Sequence, residues 1–153
     1  MKKVLMVLGG TLLAIAVAAA VGISILAVKG SALDKESQEF ANESILAVVS
    51  GWDADKLISR ASPEFMSATN GRDLGKLFGW FRMLGKLKEY KGCKGHATIS
   101  VTSQQGKVIT AAYTGRGDFE RGPAEINITL IKRGDRWQIL GFRINSKLLF
   151  EQT

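Results

Sequence analysis

Few side chains in this sequence could carry acid–base chemistry. Three candidates lie in segments where apolar and polar residues alternate as they do in strands: Tyr113, Asp118 and His96. A phenol, a carboxylate and an imidazole in one cavity could serve a lyase or isomerase as general acid and base. Asp118 and Glu120 also flank Phe119 with the same strand parity, which is compatible with a carboxylate pair, but a solvent-exposed turn explains them as well.

The sequence has only one histidine and one cysteine among its 153 residues. This composition excludes a disulfide framework within the chain and metal sites built from several histidines or thiolates. We therefore expect no cofactor. Cys93 lies between Lys91 and Lys94, and positive neighbours lower a thiol pKa. The sequence leaves open a reactive thiol, a bridge between two chains and an inert thiol.

The elements that must position these residues are predicted to be helices in the earlier part of the domain and strands in the later part. Apolar residues recur at helical spacing over 33–49 and again over 73–87, and two short helical segments lie between. After Gly85 the apolar spacing changes to two. A slip of this spacing after Ile139 predicts a β-bulge near Gly141. The pattern predicts an α+β domain in which about three helices pack on a curved antiparallel sheet of four to five strands.

Three helices followed by the segments 119–122 (FERG), 124–126 (AEI) and 137–144 (WQILGFRI) resemble the nuclear transport factor 2-like superfamily. The resemblance covers about residues 32–147 and implies a cone-shaped cavity between the helices and the sheet. Membrane-anchored, outward-facing members occur in bacteria, often without an assigned activity. Some relatives are scaffold subunits of secretion machines, and others are enzymes with acids in the cavity. Fold alone does not choose among these functions.

An uncharged apolar run occupies residues 4–28. As a helix at ~1.5 Å per residue it would be about 37 Å long, enough to cross a hydrocarbon core of roughly 30 Å. We therefore expect residues 1–29 to be an uncleaved anchor in the inner (plasma) membrane. Residues 30–153 would then form one periplasmic or extracellular domain. The alternative is a signal peptide whose cleavage yields a secreted domain.

Small residues suggest helix contacts in two places. In the anchor they recur every four positions, a spacing that lets two membrane helices approach closely: Gly10, Ala14, Ala18 and Gly22. An alanine-rich segment also produces such a stripe by chance. The third predicted helix carries Gly75 and Gly79 four residues apart, with Trp80 outside its apolar stripe. This helix therefore predicts a contact with the sheet or with another subunit, in a homodimer or an envelope protein complex.

The formal charge of +7 divides between three lysines that flank the anchor and a domain of only +4. The densest basic segment carries seven cations: Arg72, Lys76, Arg82, Lys86, Lys88, Lys91 and Lys94. A weakly basic domain outside the cytoplasm is not expected to bind nucleic acid. The basic segment predicts either contact with anionic lipid headgroups or a solvated rim.

These observations favour a membrane-anchored, extracytoplasmic binding or assembly module without catalytic activity. Its expected partners are membrane lipid and a second protein chain. The alternative is a small-molecule-binding protein, lyase or isomerase that uses the cone cavity. A cavity filled by side chains would leave surface interaction as the remaining role.

Overall fold

The computed structural model describes residues 24–25, 31–104 and 106–151. The helices are α1 (Ser31–Val49), α2 (Ala54–Ile58), α3 (Pro63–Ala68), α4 (Gly71–Phe81), a 3-10 turn (Arg82–Leu84) and α5 (Lys147–Glu151). The strands are β1 (Ser24–Ile25), β2 (Leu87–Thr102), β3 (Gly106–Phe119), β4 (Gly122–Arg133) and β5 (Arg136–Asn145). The predicted α+β class is confirmed.

Polar residues fix where the short helices begin. Asp53 accepts the backbone N–H of Asp55 at 2.9 Å and starts α2. Ser62 accepts that of Phe65 at 3.1 Å and starts α3, whose first residue is Pro63. Side-chain oxygens at these positions satisfy N–H groups that have no partner within the helix. Because α3 is a separate helix, four helices precede the long strands where about three were predicted.

The prediction that the third helix continues to Leu87 is wrong. Helix α4 ends at Phe81 and passes through the 3-10 turn to Gly85, which has φ +81°. This left-handed conformation favours glycine and stops the helix. Leu87 is already the first residue of β2.

The sheet is an antiparallel meander in the order β1-β2-β3-β4-β5, and the two-residue β1 pairs with Ser100 and Val101 of β2. Strand β2 is continuous over 16 residues. Two register shifts interrupt its pairing with β3. The β-bulge near Gly141 is confirmed: Leu130 pairs with Ile139 and Thr129 with Gly141.

The sheet has an inner face that packs against the helices and an outer face. Inner-face residues alternate along the strands, as in Ile126, Ile128 and Leu130 of β4. They pack with the apolar sides of α1 and α4, which were predicted correctly and are buried at Ile45 and Phe78. Leu140 is the extra residue of the bulge in β5. Apolar residues of β5 therefore point to the inner face both before the bulge, at Ile139, and after it, at Phe142.

Candidate functional site

Helix α1 lies along β2 through polar side chains spaced four residues apart. The Asp34 carboxylate accepts the backbone N–H of Ala97 at 2.8 Å. One turn later, the Gln38 amide donates to the carbonyl of Cys93 at 2.8 Å. Residues four apart share a helix face, so this row is continuous along α1.

The next residue of the row is Asn42, whose Oδ1 accepts the Tyr90 hydroxyl at 2.6 Å. Its partner lies further toward the start of β2 than Cys93 and Ala97 do. Helix α1 therefore runs antiparallel to β2, and its first turn lies beside the second half of β2. This orientation places the point where the chain enters the domain at that end of the sheet.

Tyr113 lies in the interior, where its hydroxyl is already bonded. Its side chain points from β3 toward α1 and is 3% exposed. The hydroxyl donates to the carbonyl of Asp34 at 2.8 Å and lies 2.7 Å from the Ser37 hydroxyl. Burial raises the pKa of Tyr113. This phenol therefore stays protonated at neutral pH and holds α1 against the sheet.

Cys93 is buried beside the same row of contacts. Burial raises the pKa of its thiol, against a smaller opposing effect of the Tyr90 hydroxyl. The hypothesis of a pKa lowered by neighbouring lysines is wrong, because those cations lie elsewhere. Lys94 is exposed, and the Lys91 ammonium lies 3.3 Å from the Asp118 carboxylate.

The three cavity candidates do not meet in one cavity. His96 is exposed within the long β2, opposite Ala112 on the outer face, rather than at the start of a strand. Asp118 is half-buried on the outer face near the end of β3. Only Tyr113 faces the helices, so the structure does not bring an acid and a base together from this set.

Glu120 has a separate role from Asp118. Its Oε1 accepts the backbone N–H of Lys86 at 2.7 Å. The same carboxylate lies against Gly85, where an added Cβ would come within 2.7 Å of Oε1. Glu120 therefore fixes the entry to β2, whereas Asp118 pairs with Lys91, so the structure does not form the carboxylate pair that the sequence left open.

Large side chains fill the space between α1, α4 and the sheet, where the resemblance implied a cone-shaped cavity. Ile45, Phe78, Phe81, Ile128 and Phe142 are each 1% exposed or less. Aromatic contacts tie this packing together, with the Phe78 and Phe81 rings 5.4 Å apart edge to face. The described interior is thus a packed core around the Tyr113 hydroxyl.

A cleft of about 660 Å³ opens instead on the outer face, at the end of the sheet where β3 and β5 finish and β4 begins. We call it the outer-face cleft. Its floor is formed by the ends of these strands, and its rim by the β3–β4 turn and the start of α5. Its ionic side chains are Lys91, Arg116, Asp118, Arg121, Glu125 and Lys147.

The outer-face cleft carries two positive charges in excess. Lys91 pairs with Asp118, and Arg116 lies 3.7 Å from Glu125. Arg121 and Lys147 are exposed and have no carboxylate partner among the described residues. Arg121 and Lys147 were not predicted as site residues from the sequence, because they are 26 residues apart and only the β4–β5 hairpin brings them to one cleft.

The predicted basic segment is spread over several elements. Arg72 and Lys76 are exposed on α4, and Arg82 donates to the carbonyl of Trp52 at 3.4 Å. Lys86, Lys88, Lys91 and Lys94 are exposed along the entry to β2 and its first half. Of the seven cations, Lys91 lines the outer-face cleft.

The helix glycines proposed as an interface are exposed. At both Gly75 and Gly79, an added Cβ would meet nothing within 4 Å. Trp80 beside them is half-buried and packs against the core. No close approach by the sheet explains these glycines, so a contact with another subunit stays a prediction.

The anchor residues Gly10, Ala14, Ala18 and Gly22 lie outside the described residues. Within the described part of the chain, no helix is both long and apolar enough to span a membrane. Those same residues include no group of three or more His, Cys, Asp or Glu side chains placed to hold a metal ion.

Comparisons with known protein families, with curated proteins and with solved structures found no match. The resemblance to the nuclear transport factor 2-like superfamily therefore stays a prediction.

Proposed function

We propose that this chain is a membrane-anchored, extracytoplasmic binding or assembly module that acts through its surface and not through interior catalysis. The observation that carries the proposal is the packed interior around Tyr113. Its hydroxyl is bonded to Ser37 and to the carbonyl of Asp34. The other two candidate acid–base residues, His96 and Asp118, are on the outer face.

The outer-face cleft is the binding surface that fits this role. It lies at the end of the sheet opposite the β2–β3 turn, and β1, which precedes α1, pairs with β2 close to that turn. Arg116 in the cleft is nine positions further along β3 than Lys107, which pairs with Val101. At ~3.3 Å per residue, this is about 30 Å. With the anchor joined to α1, the cleft can face away from the membrane.

The anchor remains compatible with the short strand β1. Ser24 and Ile25 belong to the sheet, and the uncharged run before them still contains 20 residues, from Val4 to Ile23. Twenty helical residues at ~1.5 Å each are about 30 Å long, which matches a hydrocarbon core. The domain would then sit close to the membrane surface through its β2–β3 end.

Photo-crosslinking of the full chain in its own cells tests the proposal. A photoreactive residue replaces the exposed Pro123 in the cleft, and a matched variant carries it at the exposed Ser103 in the β2–β3 turn. We expect the chain in the membrane fraction and a discrete adduct from position 123 that is missing from position 103. A chain in the soluble fraction, or no adduct from position 123, would contradict the proposal.

A further inference from the structure

We infer that the outer-face cleft binds a phosphate dianion, such as the phosphate group of a monoester, through Arg121 and Lys147. This inference rests on the proposed function, because it names the ligand chemistry of the same surface. The two cations extend from different elements, the β3–β4 turn and the first residue of α5, and line one cleft of about 660 Å³. Such a volume holds a small organic phosphate.

The charge of the cleft matches this ligand. Four cations and two carboxylates line it, so two positive charges remain. A phosphate monoester carries about −1.5 to −2 at neutral pH. Arginine presents a planar set of donors that bonds phosphate oxygens in pairs, and lysine adds a compact charge. The two ion pairs already present are long or exposed, so Lys91 and Arg116 can also turn toward a ligand.

Next to the cleft, the outer face also has hydrogen-bond donors that have no acceptor. Thr114 donates to Asn127 Oδ1 at 2.9 Å, which fixes the amide and leaves its Nδ2 without an acceptor. Arg143, paired with Asn127 across β4 and β5, has a buried Nε that is also without a partner. Buried donors without acceptors are uncommon and destabilising. They add positive potential next to the cleft, although neither side chain lines it.

A titration of the full chain in nanodiscs of neutral phosphatidylcholine tests the inference. The probes are phenyl phosphate and inorganic phosphate, with benzoate as a monoanion. The cleft variant combines Arg121→Gln with Lys147→Gln. Its matched control combines Lys107→Gln with Arg136→Gln, an exposed lysine and arginine at the opposite end of the sheet. All four positions are exposed, and thermal melts check that both variants stay folded.

We expect the cleft variant to bind phenyl phosphate at least about tenfold more weakly than the unaltered chain, and the control to stay within about twofold. A parallel arm measures binding of the nanodiscs to vesicles with and without phosphatidic acid. If cleft-dependent binding is seen with the soluble probes, the source is a free phosphate. If it is seen with phosphatidic acid vesicles alone, the source is a lipid headgroup.

Three results would overturn the inference: equal losses in the cleft variant and the control, benzoate binding as tight as phenyl phosphate, or no binding in either arm. If the adduct from position 123 persists in that case, the proposed function stands and only its ligand class is wrong. If the adduct is also absent, both fail.

Discussion

The hydroxyl of Tyr113 lies 2.7 Å from that of Ser37, across the interface between β3 and α1. This contact bears on the role of Tyr113 as a candidate acid–base residue. A phenol that serves as a catalytic acid must reach a substrate, whereas this one is buried and bonded on both sides. The Tyr113 hydroxyl therefore stabilises the fold, which supports the proposal that binding takes place at the surface.

Replacing Tyr113 by Phe should lower the free energy of unfolding by about 1 kcal/mol, the typical contribution of one hydrogen bond. The ring stays in place, and Ser37 keeps the carbonyl of Leu33 as acceptor at 2.7 Å. Urea unfolding of the full chain in neutral detergent measures the change. Tyr113→Ala is the comparison and should cost about 3–5 kcal/mol, because it also opens a cavity. The adduct from position 123 should persist in Tyr113→Phe; its loss in a folded variant would point to interior chemistry.

Two glycines should respond in opposite directions to alanine. At Gly95 an added Cβ would come within 1.9 Å of the carbonyl oxygen of Ala112 on β3. Gly95→Ala must push the two strands apart and should cost about 3 kcal/mol. Gly75→Ala on α4 meets nothing within 4 Å and should add about 0.5–1 kcal/mol of stability. Thermal or urea unfolding checks both, and a stable Gly95→Ala would refute the close approach of β2 and β3.

The same α4 position tests the predicted subunit contact. Gly75→Leu places a large side chain on an exposed helix face and should leave the stability of the domain nearly unchanged. If another subunit packs there, the variant should lose its oligomeric state, measured by analytical ultracentrifugation of the full chain in detergent. Leu introduced at the exposed Arg72 position, one turn earlier, reports any general effect of surface hydrophobicity. If both variants have the same oligomeric state as the unaltered chain, the interface hypothesis is wrong.

Glu36 should make stability depend on pH. The Lys132 ammonium, 2.8 Å from its carboxylate, and the Trp137 indole N–H, at 2.7 Å, lower the pKa of Glu36. A lowered pKa contributes stability that is present above the unfolded value of about 4.3 and is lost as pH falls through the folded value. Glu36→Gln should therefore be less stable than the unaltered chain at pH 7, and the difference should be smaller at pH 3.

Urea midpoints at the two pH values measure this difference. The control is Glu39→Gln, since Glu39 is exposed on the same helix and has no ion-pair partner among the described residues. A destabilisation of Glu36→Gln that is the same at both pH values would show that the carboxylate charge is not responsible.

Cys93 should react slowly with thiol reagents in the folded chain. It is 4% exposed, and burial raises the pKa of its thiol. The thiolate is the reactive form, so at pH 7.5 we expect modification by Ellman's reagent to be at least about 100-fold slower than in 6 M urea. Non-reducing gels should show no Cys93-dependent dimer, with Cys93→Ser as control. Rapid labelling of the native chain would contradict the burial of Cys93 and mean that this part of β2 is accessible to solvent.

Local patterns predicted the elements well because the physics that forms them is local. The apolar spacing of α1 and α4 and the phase slip at Gly141 all reappear in the structure. The polar row of α1 was missed, although Asp34, Gln38 and Asn42 are four residues apart. That spacing was a usable signal, but its partners on β2 depend on strand register.

The outer-face cleft could not be predicted from local patterns. Its unpaired cations, Arg121 and Lys147, meet only because β4 and β5 form a hairpin between them. Likewise, Tyr113 and Asp118 are an odd number of positions apart, and on one strand this spacing places them on opposite faces. That spacing was a usable signal against a shared cavity, but the sequence did not show which of the two faces the helices cover. A site formed by residues that are far apart in the sequence can be predicted only when the strand topology is known.

Hydrogen–deuterium exchange tests the central claim most directly, because it locates a bound surface without knowing the ligand. The full chain is compared in native membrane vesicles and after purification into neutral nanodiscs. We expect slower exchange in native membranes over residues 116–125 and 145–148, with residues 37–45 and 111–115 unchanged. Slower exchange confined to those interior segments, with the cleft unchanged, would contradict it.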